Sequence, residues 1–329
     1  MGCSSSSFVN FNDQDFEIIK TEHLEYGTLF EDPEFLPDES SIGRELMLPY
    51  PPEGEIVWKR PSELCDNPHL IVDGVSRFDV NQGEVGDCWF LAATACMVDH
   101  PQLLKRVLPD GQSFEEGDYT GAFHVRFWRN DEWVDVVIDD YLPTIDGKLC
   151  FNKSGDPNEM WSALVEKAFA KLNGTYGKIH GGLPMYALED FSGGSAEVLV
   201  QAELQAEDLF ETMYEAGQEG AMLTCTTPGE DEGATNEMGM VPGHAYSITK
   251  VIKLELDGEE HQLVRVRNPW GDSEWTGEWS DEKIDDLPEE VKAEHGMTVK
   301  EDGEFYMSIK DLTDQCDRVA ICRLPEDLV

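Results

Sequence analysis

Basic residues are scarce in this chain: 24 Lys and Arg stand against 68 Asp and Glu in 329 residues, a formal net charge of −44. Phosphate recognition needs clustered cations, so nucleic acid is excluded as a main partner. The same deficit argues against electrostatic docking on an anionic membrane. Long hydrophobic runs are also missing, with no stretch near the roughly 18–20 apolar residues that a spanning helix requires. Cysteine is sparse. Eight thiols (positions 3, 65, 88, 96, 150, 225, 316 and 322) with no C-x-x-C pair exclude a disulfide scaffold and a zinc ribbon. The N-terminus lacks the basic and apolar regions of a signal peptide, so a reducing cytoplasmic setting is expected, with most thiols inert and buried.

What is present is enough apolar residue, 40%, to build a core. The acidity suits solubility, divalent cations and basic partners. Met1-Gly2-Cys3-Ser4-Ser5-Ser6 fits an N-myristoylation pattern with Cys3 placed for palmitoylation. One acyl chain anchors only marginally, so both Gly2 and Cys3 would be needed for membrane association. A plain Ser-rich leader is the other reading.

Residues 1–25 read as a flexible, acylated leader, and 26–60, rich in Pro and acids, as an extended arm. Cys88 to Val98 is an apolar helical stretch behind the breaker Gly86-Asp87. Residues 122–142 alternate as a hairpin turning at 129–132. Trp161, Leu164, Val165, Ala168, Phe169 and Leu172 repeat with helical period, predicting a helix over 157–173 with Asp156 as N-cap, Pro157 at its first position and Gly174 as its stop. The Gly181-Gly182 break divides a first lobe, 26–181, from a second, 182–329, which leans toward strand. Segments 245–256 and 262–267 flank Asp257-Gly258, a hairpin turn signal.

A thiol at a helix N-terminus is activated by the dipole and the free N–H groups. Cys88 is therefore the best nucleophile candidate of the eight. His244 opens one strand of the 245–267 hairpin and Asn268 ends the other, within about three residues of opposite, and a bulge would close the remainder. An Asn carbonyl that accepts the imidazole N–H fixes tautomer and direction, as in Cys-His-Asn proteases. On pattern alone, a buried structural cysteine and a satisfied core histidine are the commoner outcomes for such residues.

Longer motifs narrow the choice. Asn81-Gln82-Gly83-Glu84-Val85-Gly86-Asp87-Cys88-Trp89-Phe90-Leu91-Ala92-Ala93 resembles the nucleophile segment of the calpains. Gly243-His244-Ala245-Tyr246-Ser247 is similar to their histidine segment, and Arg265-Val266-Arg267-Asn268-Pro269-Trp270-Gly271 with Glu274-Trp275-Thr276-Gly277 to their asparagine segment. The resemblance runs from about Leu24 to Leu324 and includes Trp58-Lys59-Arg60-Pro61 and Trp161-Ser162-Ala163-Leu164. It implies an α+β, papain-like two-lobe cysteine protease core, with the active site in the cleft between a helical lobe and a β-rich lobe.

The resemblance also implies roles. Cys88 is the nucleophile, His244 the base and acid, Asn268 the orienting residue, Gln82 the oxyanion donor, and Trp270 the shield and gate. It implies two Ca²⁺ ions, one per lobe: Val72, Gly74, Asp79 and Glu159 in the first, Glu274, Asp281, Lys300, Asp302 and Glu304 in the second. Arg77 matches an arginine that links the two sites through Glu304. Glu159 also reads as a capping partner of Asp156. The loop from Pro228 to Glu237, with four acids, corresponds to a gating loop and is expected to favour basic substrates; an ordinary solvated loop is the other reading. The chain stops at Val329, just past the core, so the larger family members' C-terminal β-sandwich and EF-hand-like domains are expected to be absent and regulation to come from the core ions or partners. The implied function is a calcium-dependent intracellular endopeptidase making limited cuts in protein substrates. The alternative is a catalytically silent, lipid-anchored, Ca²⁺-responsive scaffold.

Overall fold

The computed structural model describes residues 8–48, 51–229 and 233–328. In chain order the strands are β1 (Phe8–Asn10), β2 (Val57–Lys59), β3 (Ala122–Arg129), β4 (Glu132–Asp139), β5 (Leu142–Ile145), β6 (Lys148–Leu149), β7 (Ser195–Val200), β8 (Met222–Thr226), β9 (Ala245–Leu256), β10 (Glu259–Arg267), β11 (Glu304–Ser308) and β12 (Arg318–Arg323). The helices are α1 (Phe16–Tyr26), α2 (Glu39–Ile42), α3 (Cys88–Met97), α4 (Pro101–Val107), α5 (Trp161–Asn173), α6 (Pro184–Ser192), α7 (Ala206–Gln218), α8 (Asp281–Asp285), α9 (Glu289–His295) and α10 (Ile309–Gln315). The architecture is α+β.

Contacts divide the chain into two compact units. The first holds residues 1–87, 100–182 and 190–193; the second holds 88–99, 183–189 and 194–329. The helix that begins at Cys88 thus groups with the second unit, whereas the sequence placed the nucleophile in the first lobe.

In the first unit, β1 lies parallel to β4, which pairs antiparallel with β3 around an Asn130-Asp131 turn with positive φ at both residues. A separate sheet runs β2-β5-β6. Helix α5 packs on β4 and carries buried amines: Lys167 reaches the Asp139 carboxylate, and Lys171 meets that of Asp32 at 2.6 Å. Two expectations fail here. Residues 8–26 are not a flexible leader, because β1 adds to a sheet and α1 is capped by Asp15, whose carboxylate accepts the Ile18 N–H at 3.0 Å. Helix α5 starts at Trp161 rather than Pro157. Asp156 instead closes a turn onto the Asn158 N–H, and the chain from 158 to 161 pairs with His69 and Leu70.

The second unit is built on one antiparallel sheet, ordered β11-β10-β9-β8-β12-β7. Alternation along β9 sends Tyr246 and Ile248 to one face, where they join Leu209, Phe210 and Met213 of α7 in the core. Ser247 points to the other face and donates to the Ala92 carbonyl of α3 at 3.0 Å. Every residue of α3 is buried, as an all-apolar helix requires. The strands of this sheet follow the lean read after Gly182, and the unit also holds helix α7 and the first part of α6.

Candidate active site

Cys88 is the first residue of α3 and 7% exposed. The N–H groups at that end have no acceptor within the helix itself and supply the partial positive charge that favours a thiolate. Two ties fix α3 to the sheet: the Ser247 hydroxyl, and the Cys96 thiol on the Leu223 carbonyl at 3.1 Å. Other thiols are unsuited to nucleophilic work. Burial pushes Cys96 and Cys150 each up to about 12, and a hydrogen bond with Cys316, followed by burial, holds Cys225 well above the usual thiol range.

His244 immediately precedes β9 and Asn268 follows β10. The hairpin register shifts at Arg265/Val266, a bulge that takes up one of the residues separating the two. The imidazole Nε2 then lies 2.8 Å from Asn268 Oδ1. Asn268 Nδ2 donates to the carbonyls of Asp272 (2.9 Å) and Ser273 (3.1 Å), which fixes which end of the amide faces the ring. An amide oxygen only accepts, so Nε2 carries a hydrogen. Trp270 donates its backbone N–H to the same Oδ1 at 3.0 Å and sets its ring 5.1 Å from the imidazole, centroid to centroid. Tyr246 meets that imidazole edge-on.

Three supporting residues were given no role by sequence reasoning. Thr227 clamps the His244 backbone, accepting its N–H through Oγ1 and donating its own N–H to the carbonyl, both at 3.0 Å. The Tyr246 hydroxyl accepts the Val241 N–H at 2.8 Å. Gly303, at φ +82°, accepts the Asn268 N–H at 2.8 Å; a Cβ there would sit 3.0 Å from the Asn268 oxygen. A glycine within an acidic stretch was the one readable hint.

In the first unit, Gln82 turns its side-chain amide onto the Val85 carbonyl at 2.9 Å. The loop it starts is seated against residues 150 and 151, where a Cβ on Gly83 would approach two carbonyl oxygens to 2.4 Å.

The expected cation ligands occupy two places. In the first unit Glu159 is buried and accepts the Val72 N–H at 2.7 Å and the Ser154 hydroxyl at 2.7 Å; it does not cap α5. Burial, and secondarily the neighbouring Asp79, raises its pKa. Gly74 follows Asp73 in a turn with both φ positive. In the second unit Glu274 accepts the N–H groups of Asp302 (2.9 Å) and Gly303 (2.8 Å), and Asp281 that of Lys300 (2.9 Å). Burial and the acids around them push Glu274 up to about 7 and Asp281 up to about 6, and Asp302 rises as well. Glu304 accepts from Thr249 at 3.0 Å and pairs with Arg265 at 3.4 Å. Among the described residues, no three His, Cys, Asp or Glu side chains are gathered as a ready metal site. The donor chemistry nevertheless fits calcium: all oxygen, several carboxylates, and an Asp281 Oδ1 that is buried without a hydrogen-bond partner.

A cavity of about 240 Å³ in the second unit is lined by Leu183, Pro184, Met185, Val198, Thr224, Thr226, Arg318 and Ala320. Its floor is strand β8, which continues into the Thr227 clamp on His244. The candidate acyl sites Gly2 and Cys3 lie outside the described residues, as do Glu230, Asp231 and Glu232 of the acidic loop; Glu237 is exposed. No helix among the described residues is long and apolar enough to cross a membrane.

The sequence profile of the calpain family cysteine proteases matches residues 30–323. Calpain-8 of Rattus norvegicus is 44% identical over 330 residues, covering 98% of this chain and 46% of its own length. Calpain-A of Drosophila melanogaster is 45% identical over 338 residues, covering 99% and 40% respectively. The calpain-1 catalytic subunit of Gallus gallus is 43% identical over 325 residues, covering 97% and 46%. The chain therefore spans less than half the length of these relatives.

Proposed function

Because this chain belongs to the calpain family of cysteine proteases, we propose that it is a papain-like protease core acting as a calcium-dependent endopeptidase on protein substrates. The observation that supports this most is the His244–Asn268 bond at 2.8 Å, capped by Trp270, on the sheet that α3 packs against. With Nε2–H held by Asn268, His244 offers Nδ1 to the Cys88 thiol. The sulfur attacks the scissile carbonyl carbon as the proton moves to the imidazole, which then protonates the leaving amine; water hydrolyses the thioester by the reverse proton path. The Gln82 amide and the Cys88 N–H are the oxyanion donors in this reading, each worth about 2.7–4 kcal/mol.

Calcium would be held by Val72, Gly74, Asp79 and Glu159 in one unit and by Glu274, Asp281, Lys300, Asp302 and Glu304 in the other, where its charge offsets repulsion among the acids. Gly2 and Cys3 are acylated in the same proposal, giving a membrane-associated cytoplasmic enzyme; an alkynyl-myristate label lost in Gly2→Ala tests that separately.

Purified protein is incubated with casein, with Ca²⁺ or with chelator, beside Cys88→Ala. Cutting only with Ca²⁺ and only by the parent chain is expected. Cutting by the variant would remove Cys88 as nucleophile, and cutting in chelator would remove calcium dependence.

A further inference from the structure

Behind the residue that precedes the nucleophile lies a buried acid pair that the mechanism above does not use. Asp87 and Glu166 are 0% and 1% exposed. Glu166 projects from α5, and its two carboxyl oxygens accept the Asn152 N–H at 3.0 and 3.1 Å. Its carboxyl group lies close enough to that of Asp87 for the two to act on each other by charge and through a shared hydrogen. Two ionised carboxylates are acceptors only, so a bond between them requires a proton on one. Burial, followed by the Asp87 charge, holds Glu166 well above the ordinary carboxylate range. The other titratable groups that bear on the pair are the Tyr176 phenol and the Cys150 thiol, the latter also facing Glu84. Lys167, the next residue on α5, directs its amine to Asp139 and to the Asp139 and Tyr141 carbonyls.

The same backbone segment carries the rest of the nucleophile loop. The Asn152 side chain accepts the Asn81 N–H at 3.0 Å, and Cys150 accepts the Glu84 N–H at 2.9 Å. At the loop's other end, His180 Nδ1 accepts the Gly86 N–H at 3.1 Å. Glu166 therefore reaches both the segment that seats the loop, through Asn152, and the loop's last residue, Asp87. The peptide bond is planar, so fixing Asp87 fixes the direction of the Cys88 N–H.

We propose that Glu166 is a positioning residue for the nucleophile, its carboxyl proton shared with Asp87 so that the Asp87–Cys88 peptide is held in one orientation. This rests on the reading of Cys88 as nucleophile and adds a residue remote in sequence to it. A misplacement on the order of 1 Å costs about 100-fold in rate. Gln at 166 preserves both contacts, its amide donating to Asp87 and its carbonyl accepting Asn152 N–H. Ala preserves neither.

The full chain, Glu166→Gln and Glu166→Ala are compared for kcat and KM across pH, with thermal unfolding to establish that each is folded. The Ala variant is expected to lose kcat by about 10- to 100-fold at unchanged KM. The Gln variant is expected to recover most of that loss. Its kcat should also be free of whatever pH dependence the parent owes to loss of the shared proton. A folded Ala variant within twofold of the parent in kcat, or a Gln variant as impaired as Ala, would overturn the proposal. Infrared difference spectra keep the test independent of the protease reading. A protonated-carboxyl band present in the parent and missing in Glu166→Gln supports the shared proton even if nothing cuts casein, and its absence from the parent refutes it.

Discussion

Replacing Asn268 with Ala removes one acceptor and two donors at a residue that is fully buried. Its Oδ1 holds His244 Nε2–H and Trp270 N–H, and its amide holds two carbonyls at 2.9 and 3.1 Å. In the transition state the imidazole is charged, so the lost bond is the charge-assisted kind, about 1.5–3 kcal/mol. At 1.36 kcal/mol per tenfold, kcat/KM should fall by about 10- to 160-fold. The other three contacts are ordinary hydrogen bonds at about 1 kcal/mol each, so stability should fall by about 3 kcal/mol. For a chain of 329 residues that lowers the unfolding temperature by about 4 °C. A fluorogenic peptide assay with Ca²⁺, run well below that temperature, separates the two effects. If a folded Asn268→Ala enzyme kept kcat/KM within twofold of the parent, orientation of His244 by Asn268 would not be part of the chemistry.

Gln82→Ala should lower kcat by about 100- to 1,000-fold with little change in KM, measured on the same peptide; a purely KM effect would assign Gln82 to ground-state binding. Gly303→Ala forces a Cβ into φ +82° and against the Asn268 carbonyl, so it should cost about 1–2 kcal/mol in chemical denaturation and also reduce turnover. In Ca²⁺-free protein, Glu274 and Asp281 bind protons more tightly when folded than their ordinary values of 4.5 and 3.8 allow. Their contribution to stability is present below those values and is lost as pH rises through about 6 to 7. The unfolding temperature should therefore drop across that interval without calcium. Glu274→Gln should flatten the drop, and a variant that retains it in full would locate the titration elsewhere.

Helix α3 and both hairpins were legible because their signals are local. Gly86-Asp87 breaks the chain before an apolar run, and alternation flanks Asn130-Asp131 and Asp257-Gly258. The His244–Asn268 pairing followed from hairpin arithmetic, with the bulge supplying the missing step. What sequence missed depended on partners distant along the chain. Asp156 and Pro157 are good helix-start residues, yet His69 and Leu70 claim the backbone there, with His69 N–H on the Asn158 carbonyl at 2.7 Å and Trp161 N–H on Leu70 at 2.9 Å. The N-terminal segment reads as polar leader until β4 provides an edge for β1. Lys167, Lys171 and Glu166 look like the polar side of an amphipathic helix, but each is buried against a polar partner from another segment.

The acidic group of the second unit and the residue that orients the imidazole share one stretch of backbone. Gly303 accepts the Asn268 N–H and donates its own N–H to Glu274, while Asp272 and Ser273, just before Glu274, accept the Asn268 side chain. Crowded carboxylates repel whenever they ionise together, and a strand end held by single hydrogen bonds is the part that yields. Relief of that repulsion, whether by protons or by a cation, therefore acts one hydrogen bond from Asn268. Its effect should appear in kcat rather than KM, because in the proposed mechanism Asn268 sets the angle of the proton acceptor.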